Sequence, residues 1–284
     1  MTYLSSANEK QVNTKTIPNF AIISFTVIIC LIAYLLFPAN SIQKTAITRN
    51  QPELVTYFYL LNLLKKYPSN EQLRIALINQ EIPLKKWHKA SLEIRKLGEN
   101  SSYIVMAKIL DFYLDYNKYF DSSRFKTDDF LLRLQNKIKE ISTLSLPNDQ
   151  LIGLGESATG LKLPAVALIF YSQVKNEKNP NILRKFAITA LWASNYLKSS
   201  EYYFNASQNE KNIELSRKDI INAFNSLLQG GEYVAIKKKV RQLPQDILNN
   251  EKMLKFLINL CISAGDTKMA SKLSIKLLEF SGNN

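Results

Sequence analysis

The sequence predicts an all-α chain: one N-terminal transmembrane helix followed by a superhelical array of paired helices, an α-α solenoid. Three observations carry this. Phe20 to Phe37 reads FAIISFTVIICLIAYLLF, 18 residues without one charge. Beyond it, apolar residues recur at i, i+3, i+4 and i+7 and no run shows strand alternation. Small residues then recur with a spacing near 34.

Composition narrows the class before any motif is read. The 284 residues are 46% hydrophobic and 21% charged, ordinary for a folded chain of one or two domains. With 8 Gly and 9 Pro the chain is neither collagen-like nor low-complexity. Two cysteines exclude a disulfide-dense scaffold, and a single histidine, His88, excludes a site with several histidine ligands. The net charge of +13 admits an acidic partner, nucleic acid or an anionic membrane surface. Richness in Lys, Asn, Ile and Ser makes part of that charge a compositional background. Setting aside residues 1–44, which hold Lys10, Lys15, Lys44 and Glu9, leaves 34 basic against 23 acidic residues, a net +11. The basic character therefore belongs to the part after the apolar segment.

As a helix, Phe20–Phe37 spans about 27 Å, close to the hydrocarbon thickness of a bilayer. Pro18 and Pro38 bracket it, where each can end a helix without damage. Tyr34 lies near one end, suited to the interface. A cleaved signal peptide would have a shorter apolar stretch and a small-x-small site, and Pro38-Ala39-Asn40-Ser41 offers a poor one. The expected organisation is a polar tail (1–17), a single-pass anchor (18–38), a linker (39–51), a helical-repeat domain (52–280) and a short tail (281–284). Basic residues flank the anchor almost evenly, so orientation is weakly encoded. A short tail ahead of an uncleaved anchor favours the bacterial inner membrane, with the large domain periplasmic rather than cytoplasmic.

The helices follow in order. Leu54, Phe58, Leu61 and Leu64 mark one face, Ile182, Phe186, Thr189 and Ala190 another, and Ile220, Ala223, Phe224 and Leu227 a third. Breaks fall at Pro68-Ser69-Asn70, Gly98-Glu99-Asn100, Pro147-Asn148-Asp149, Asn179-Pro180-Asn181, Gly230-Gly231 and Gly265-Asp266. Asn148 or Asp149 is expected to cap one helix and Asn179 or Asn181 another. Small residues open the second helix of each pair at Ala90, Ala165, Ser199, Ala235 and Ala270, the last four separated by 34, 36 and 35 residues.

On these residues the chain resembles the tetratricopeptide repeat (TPR) family. The clearest unit begins at Pro180, with Leu183 at repeat position 4, Phe186 at 7, Ala187 at 8, Ala190 at 11, Ser199 at 20, Tyr203 at 24 and Ala206 at 27. The unit before it places Gly153 at 8 and Gly160 at the turn, and the unit after it places Ala223 at 8 and Ala235 at 20. Lys239 at 24 and Ile258 at 8 depart from the pattern, and residues 103–143 fit it poorly, as a divergent repeat or an inserted hairpin. An anchor, a half-repeat from Gln51 to Asn70 and then degenerate repeats is also similar to the N-terminal part of Pel-type exopolysaccharide export scaffolds.

The TPR resemblance implies a groove formed by the first helices. Carried over by position, its partner-binding residues are Arg184, Ile188, Trp192, Lys252, Lys255 and Asn259, and the cations suit carboxylates of an acidic protein segment. No cofactor, metal or catalytic constellation is expected. His88 stands among lysines at a helix start with no nucleophile tied to it. Cys30 and Cys261 read as free thiols. Gly153–Gly160 lacks the ending of a phosphate loop and follows no strand. Asp111, Asp115, Asp128 and Asp129 read as helix-face and helix-start carboxylates without a calcium loop. The basic runs Lys85-Lys86 with Lys89, and Lys237-Lys238-Lys239 with Arg241, read as solvated faces, with anionic lipid or nucleic acid as the functional alternatives. Nucleic acid and a small-molecule substrate are not expected. The anchor, the repeats and the missing catalytic group together predict a membrane-anchored protein-binding scaffold. The alternative is a structural subunit of an envelope secretion or exopolysaccharide-export complex.

Overall fold

The computed structural model of the protein describes residues 53–282, with side chains to Glu279. The expected anchor Phe20–Phe37, the tail 1–17 and the linker 39–51 lie outside the described residues. Among those described, no helix is long and apolar enough to cross a membrane, and every regular element is helical.

Fourteen α-helices are described: α1 (Leu54–Lys66), α2 (Glu71–Glu81), α3 (Trp87–Gly98), α4 (Ile104–Asp121), α5 (Asp128–Ile141), α6 (Asn148–Gly160), α7 (Pro164–Gln173), α8 (Pro180–Trp192), α9 (Tyr196–Asn209), α10 (Ile213–Gln229), α11 (Tyr233–Val240), α12 (Gln245–Leu248), α13 (Glu251–Ser263) and α14 (Thr267–Gly282). Short polar side chains start many of them. Asn70, Thr127, Asn179, Asn195, Asn212 and Asn250 each accept a first-turn N–H. The expected cap at Asn148 or Asp149 is not formed. Pro147 holds the cap position of α6, while Asn148 ties down the loop after α7 through the carbonyl and N–H of Lys175 (2.7 and 3.1 Å).

The chain divides into two compact units, one ending at Ala107 and the other beginning at Lys108. In the first, α1 packs on α2 and α2 on α3, around Tyr57, Leu60, Leu64, Leu73, Ala76 and Leu77. The buried Arg74 fastens α2: its guanidinium donates to Glu71 (2.8 Å), to Glu93 of α3 and to the Pro68 carbonyl (2.6 Å).

In the second unit the helices pack on their chain neighbours, α6–α7, α7–α8, α8–α9, α9–α10, α10–α11 and α13–α14, with α10 and α11 both reaching α13. One continuous core runs from Ile109 to Leu273. The uncertain segment 103–143 is an antiparallel hairpin. Lys137 of α5 donates to both Asp111 and Asp115 of α4 (2.5 Å each), and Lys108 pairs with Glu140 (2.6 Å). A 3-10 turn at Ser123–Phe125 joins its helices.

The other pairs share one turn. The N–H groups of Lys86, Leu163, Asn195, Glu232 and Asp266 donate to the carbonyls of Glu81, Ala158, Ala190, Leu227 and Cys261, five residues earlier, at 2.8–2.9 Å. The residue before each donor is left-handed: Lys85, Lys162, Ser194, Gly231 and Gly265, with φ between 55° and 70°. This is the Schellman closure of a helix C-terminus, and its donor opens the next helix. The fourth residue of each second helix (Ala90, Ala167, Ser199, Ile236, Ala270) is at most 6% exposed, and its N–H bonds the cap carbonyl at 3.0 Å. Two of the expected small positions are thereby corrected. Ala165 is exposed and Ala235 half-buried, because they are the second and third residues of α7 and α11, and at about 100° per residue they miss the buried face.

The same register moves the small position of α6 from Gly153 to Gly155. A Cβ on Gly155 would come within 2.2 Å of the Tyr171 ring, which is stacked on Phe186 at 4.1 Å. The glycines of 153–160 are therefore helix-packing positions.

Non-glycine residues in left-handed turns cost stability that glycine would not. Ser194→Gly and Lys162→Gly should each raise unfolding stability by about 0.5 kcal/mol. Gly231→Ala should lower it by about 1 kcal/mol, a purely conformational loss because a Cβ there meets nothing within 4 Å. Urea unfolding followed by far-UV circular dichroism measures all three. A neutral Gly231→Ala would show that the turn does not constrain the pair.

Candidate functional site

The first helices of the second unit are α6, α8, α10 and α13. Lys185 of α8 bonds Glu156 of α6 (2.6 Å), Arg184 of α8 bonds Asp219 of α10 (2.7 Å), and α10 packs on α13. Counting back from the left-handed residue of each turn brings equivalent positions into rows. Six residues before it stand Glu156, Ile188, Asn225 and Asn259, all exposed. Thirteen before it stand Asp149, Asn181, Lys218 and Lys252, again all exposed. Near the turns, Trp192 is 63% and Ile262 58% exposed, with Leu228 beside them in the register. The face is thus acidic on α6, basic on α10 and α13, polar along its middle and apolar at the turn edge.

Five of the six expected partner-binding residues lie on this face. Ile188, Trp192, Lys252, Lys255 and Asn259 are exposed, and Lys255 makes an i,i+4 pair with Glu251 (2.6 Å) that leaves it accessible. Arg184 differs. Its guanidinium donates to both oxygens of Asp219 (2.7–3.1 Å), to Glu210 (2.6 Å) and to Asn181 (2.9 Å). It is a strut between α8, α9 and α10 rather than a clamp for a partner. These bonds hold Arg184 still further above its usual basicity. Lys218 and Asn225 were missed, because small residues set the register of α10 one residue too early and that error points to its buried face; Leu228 and Ile262 were missed as well.

The first unit carries a different concavity, an open trough of about 700 Å³. Leu61 and Leu64 of α1, Leu77 of α2 and Leu92 of α3 line it, with Lys65, Arg74, Lys89, Glu93 and Lys96 at its rim. Glu81 also lines it, is 1% exposed, and its Oε2 finds no hydrogen-bond partner. Burial, with the Glu93 charge adding to it, pushes the Glu81 carboxyl up to about 7. Sequence reasoning passed over Glu81, since only the packing of α1 and α3 against α2 distinguishes it from a surface glutamate.

The remaining candidates are ordinary. His88 is an exposed second residue of α3. Cys261 is buried and its thiol is pushed up to about 11 by burial. Asp128 and Asp129 sit in the first turn of α5. Lys237–Lys239 spread around α11, with Lys239 over the Phe204 ring at 5.0 Å. Among the described residues no cluster of three or more His, Cys, Asp or Glu could hold a metal ion. No family model matches the chain, and no curated protein matches it.

Two expectations follow. Arg184→Ala leaves Asp219, 2% exposed, as an unpaired buried charge, and should cost about 3 kcal/mol or more in chemical unfolding. The double change Arg184→Met with Asp219→Leu should cost clearly less, and equal losses would contradict the strut. For Glu81 the folded value lies above its ordinary 4.5, so the folded state holds its proton more tightly. Wild-type stability should therefore fall, relative to Glu81→Gln, as pH rises from 4.5 to 7, on the order of 1–3 kcal/mol, and level off above. A difference that is constant across that window would mean the charged carboxylate finds a partner.

Proposed function

We propose that this chain is a membrane-anchored, TPR-like scaffold that positions a protein partner on the first-helix face of its second unit. The observation that carries the reading is the row structure of that face. The positions six and thirteen residues before the turn are exposed on α8, α10 and α13, and the same face carries a 63% exposed Trp192 and a 58% exposed Ile262 with Lys218, Lys252 and Lys255. An exposed tryptophan one register position from the exposed Leu228 and Ile262 is a typical anchor of a protein interface. The lysines beside it suit an acidic segment, and they act on association rate as much as on affinity. The apolar segment Phe20–Phe37 supports attachment to the bacterial inner membrane, with the repeat domain on the periplasmic side.

A second reading, a structural subunit of an envelope secretion or exopolysaccharide-export complex, is favoured by a different surface. Leu197, Tyr233 and Val234 at the starts of α9 and α11 are 51%, 46% and 83% exposed. These belong to second helices and would serve assembly rather than capture. A photo-crosslinking residue placed at Asn259 in one strain and at Val234 in another separates the two. The scaffold reading expects a protein adduct at Asn259 that Lys252→Glu with Lys255→Glu weakens by about tenfold or more. Adducts at Val234 alone, unaffected by the double change, would favour the assembly subunit.

A further inference from the structure

The trough of the first unit has three chemical demands. Its walls are apolar: Leu61, Leu64, Leu77 and Leu92. Its rim carries Lys65, Arg74, Lys89 and Lys96 against Glu93, with Arg74 already held by Glu71, Glu93 and Pro68 and Lys96 by Glu93. Its floor holds a carboxyl oxygen with no hydrogen-bond partner. A fitting occupant therefore has an apolar chain, a negative charge and a hydroxyl donor. Strand addition by an extended peptide is excluded, because the walls are helices whose backbone groups are already paired.

Position narrows the source. The Glu53 N–H donates to the side chain of Gln80 (3.0 Å), so α1 begins beside the end of α2 that carries Glu81. Lys89 lies at the same end, bonded to the Tyr57 hydroxyl (3.2 Å), with Lys86 over the Tyr57 ring at 4.8 Å. Leu54, Val55 and Phe58 of α1 are 56%, 80% and 56% exposed there. Residues 38–52 join this end to the apolar segment Phe20–Phe37, which keeps it within reach of a bilayer if that segment spans one.

We propose that the trough receives one anionic phospholipid with a hydroxyl-bearing headgroup, of the phosphatidylglycerol type. Its acyl chain lies over Leu61, Leu64, Leu77 and Leu92, its phosphate meets Lys86 and Lys89, and a headgroup hydroxyl donates to Glu81. The proposal takes its lipid source from the anchor reading, while the trough chemistry stands without it. Apolar surface and juxtamembrane lysines act together in such docking.

The test uses the full-length chain purified in dodecyl maltoside. It is titrated with dioleoylphosphatidylglycerol, dioleoylphosphatidic acid or dioleoylphosphatidylcholine, and adducts are resolved by native mass spectrometry. One phosphatidylglycerol should bind ahead of the rest. Lys86→Ala with Lys89→Ala should weaken it roughly 30-fold, the combined attraction of two lysines for an anionic head. Leu92→Glu, at a position 36% exposed and so tolerant of change, should abolish it. Equal binding of phosphatidylcholine, or an adduct unchanged by both variants, would overturn the proposal, since lipid around the anchor behaves that way. Phosphatidic acid binding as well as phosphatidylglycerol would overturn the role given to Glu81. A chain that stays in solution without detergent yet keeps a lysine-dependent adduct would remove the anchor and retain the trough. A membrane-inserted chain without that adduct does the reverse.

Discussion

The left-handed turn that closes each helix pair is the constraint from which the rest of the packing follows. A helix end leaves carbonyls without partners, and in a pair packed this closely those carbonyls lie near the core. The turn answers this with the N–H of the residue that opens the next helix, at Lys86, Leu163, Asn195, Glu232 and Asp266. Chain direction is reversed within one residue, so the fourth residue of the second helix always arrives against the first helix. That residue is Ala90, Ala167, Ser199, Ile236 or Ala270, and each is buried. The exposed rows follow from the same origin. Ile188, Asn225 and Asn259 share a row because each lies six residues before its turn, and the turn fixes how far each first helix is rotated.

Much of this was legible in the sequence, and the remainder was hidden for identifiable reasons. The all-helical class and the pair at Pro180–Asn209 follow from apolar periodicity and from breaks at Asn, Pro and Gly. The turns at Gly231 and Gly265 are visible as glycines, but those at Lys85, Lys162 and Ser194 carry side chains that no turn rule favours. Without them the register rested on small residues, which slipped by two positions at Ala165 and by one at Ala235. Gly155 was overlooked for the same reason. Arg184 failed differently. Its carboxylate partners lie 26 and 35 residues away, and no local pattern reports a bond across helices. The hairpin of α4 and α5 was legible as two helices, while its fastening by Lys137 was not.

The arrangement of charge separates structural from available cations. Asp111, Asp115, Glu156 and Asp219 each hold a lysine or arginine from another helix, and Asp266 holds Arg241 at the end of α11. Lys65, Lys86, Lys218 and Lys252 have no carboxylate bonded to them among the described residues. These unpaired lysines add positive potential to the first-helix face of α10 and α13 and, in the other unit, beside the trough. Exposed pairs such as Lys185–Glu156 contribute little to stability. Net charge alone could not have told these roles apart.

Asp219 and Glu81 show how differently one chemical group can be treated within a single chain. Both are carboxylates exposed by no more than 2%. Asp219 is met by a two-pronged guanidinium, the geometry that best offsets the loss of water around a charge. Glu81 is set among leucines, with one oxygen lacking any partner and with Lys86 and Lys89 close enough to lower its pKa but outweighed by burial. The described residues of the first unit form three helices of its own around a small core, which leaves less margin for an unsatisfied polar group than the larger core of the second. Stability alone would be served better by an amide or an aliphatic side chain at that position. An acid that costs stability, buried beneath an open concavity with cations at its edge, is the pattern expected of a group that contacts a ligand. The trough is therefore the feature of this chain least explained by folding and best explained by binding.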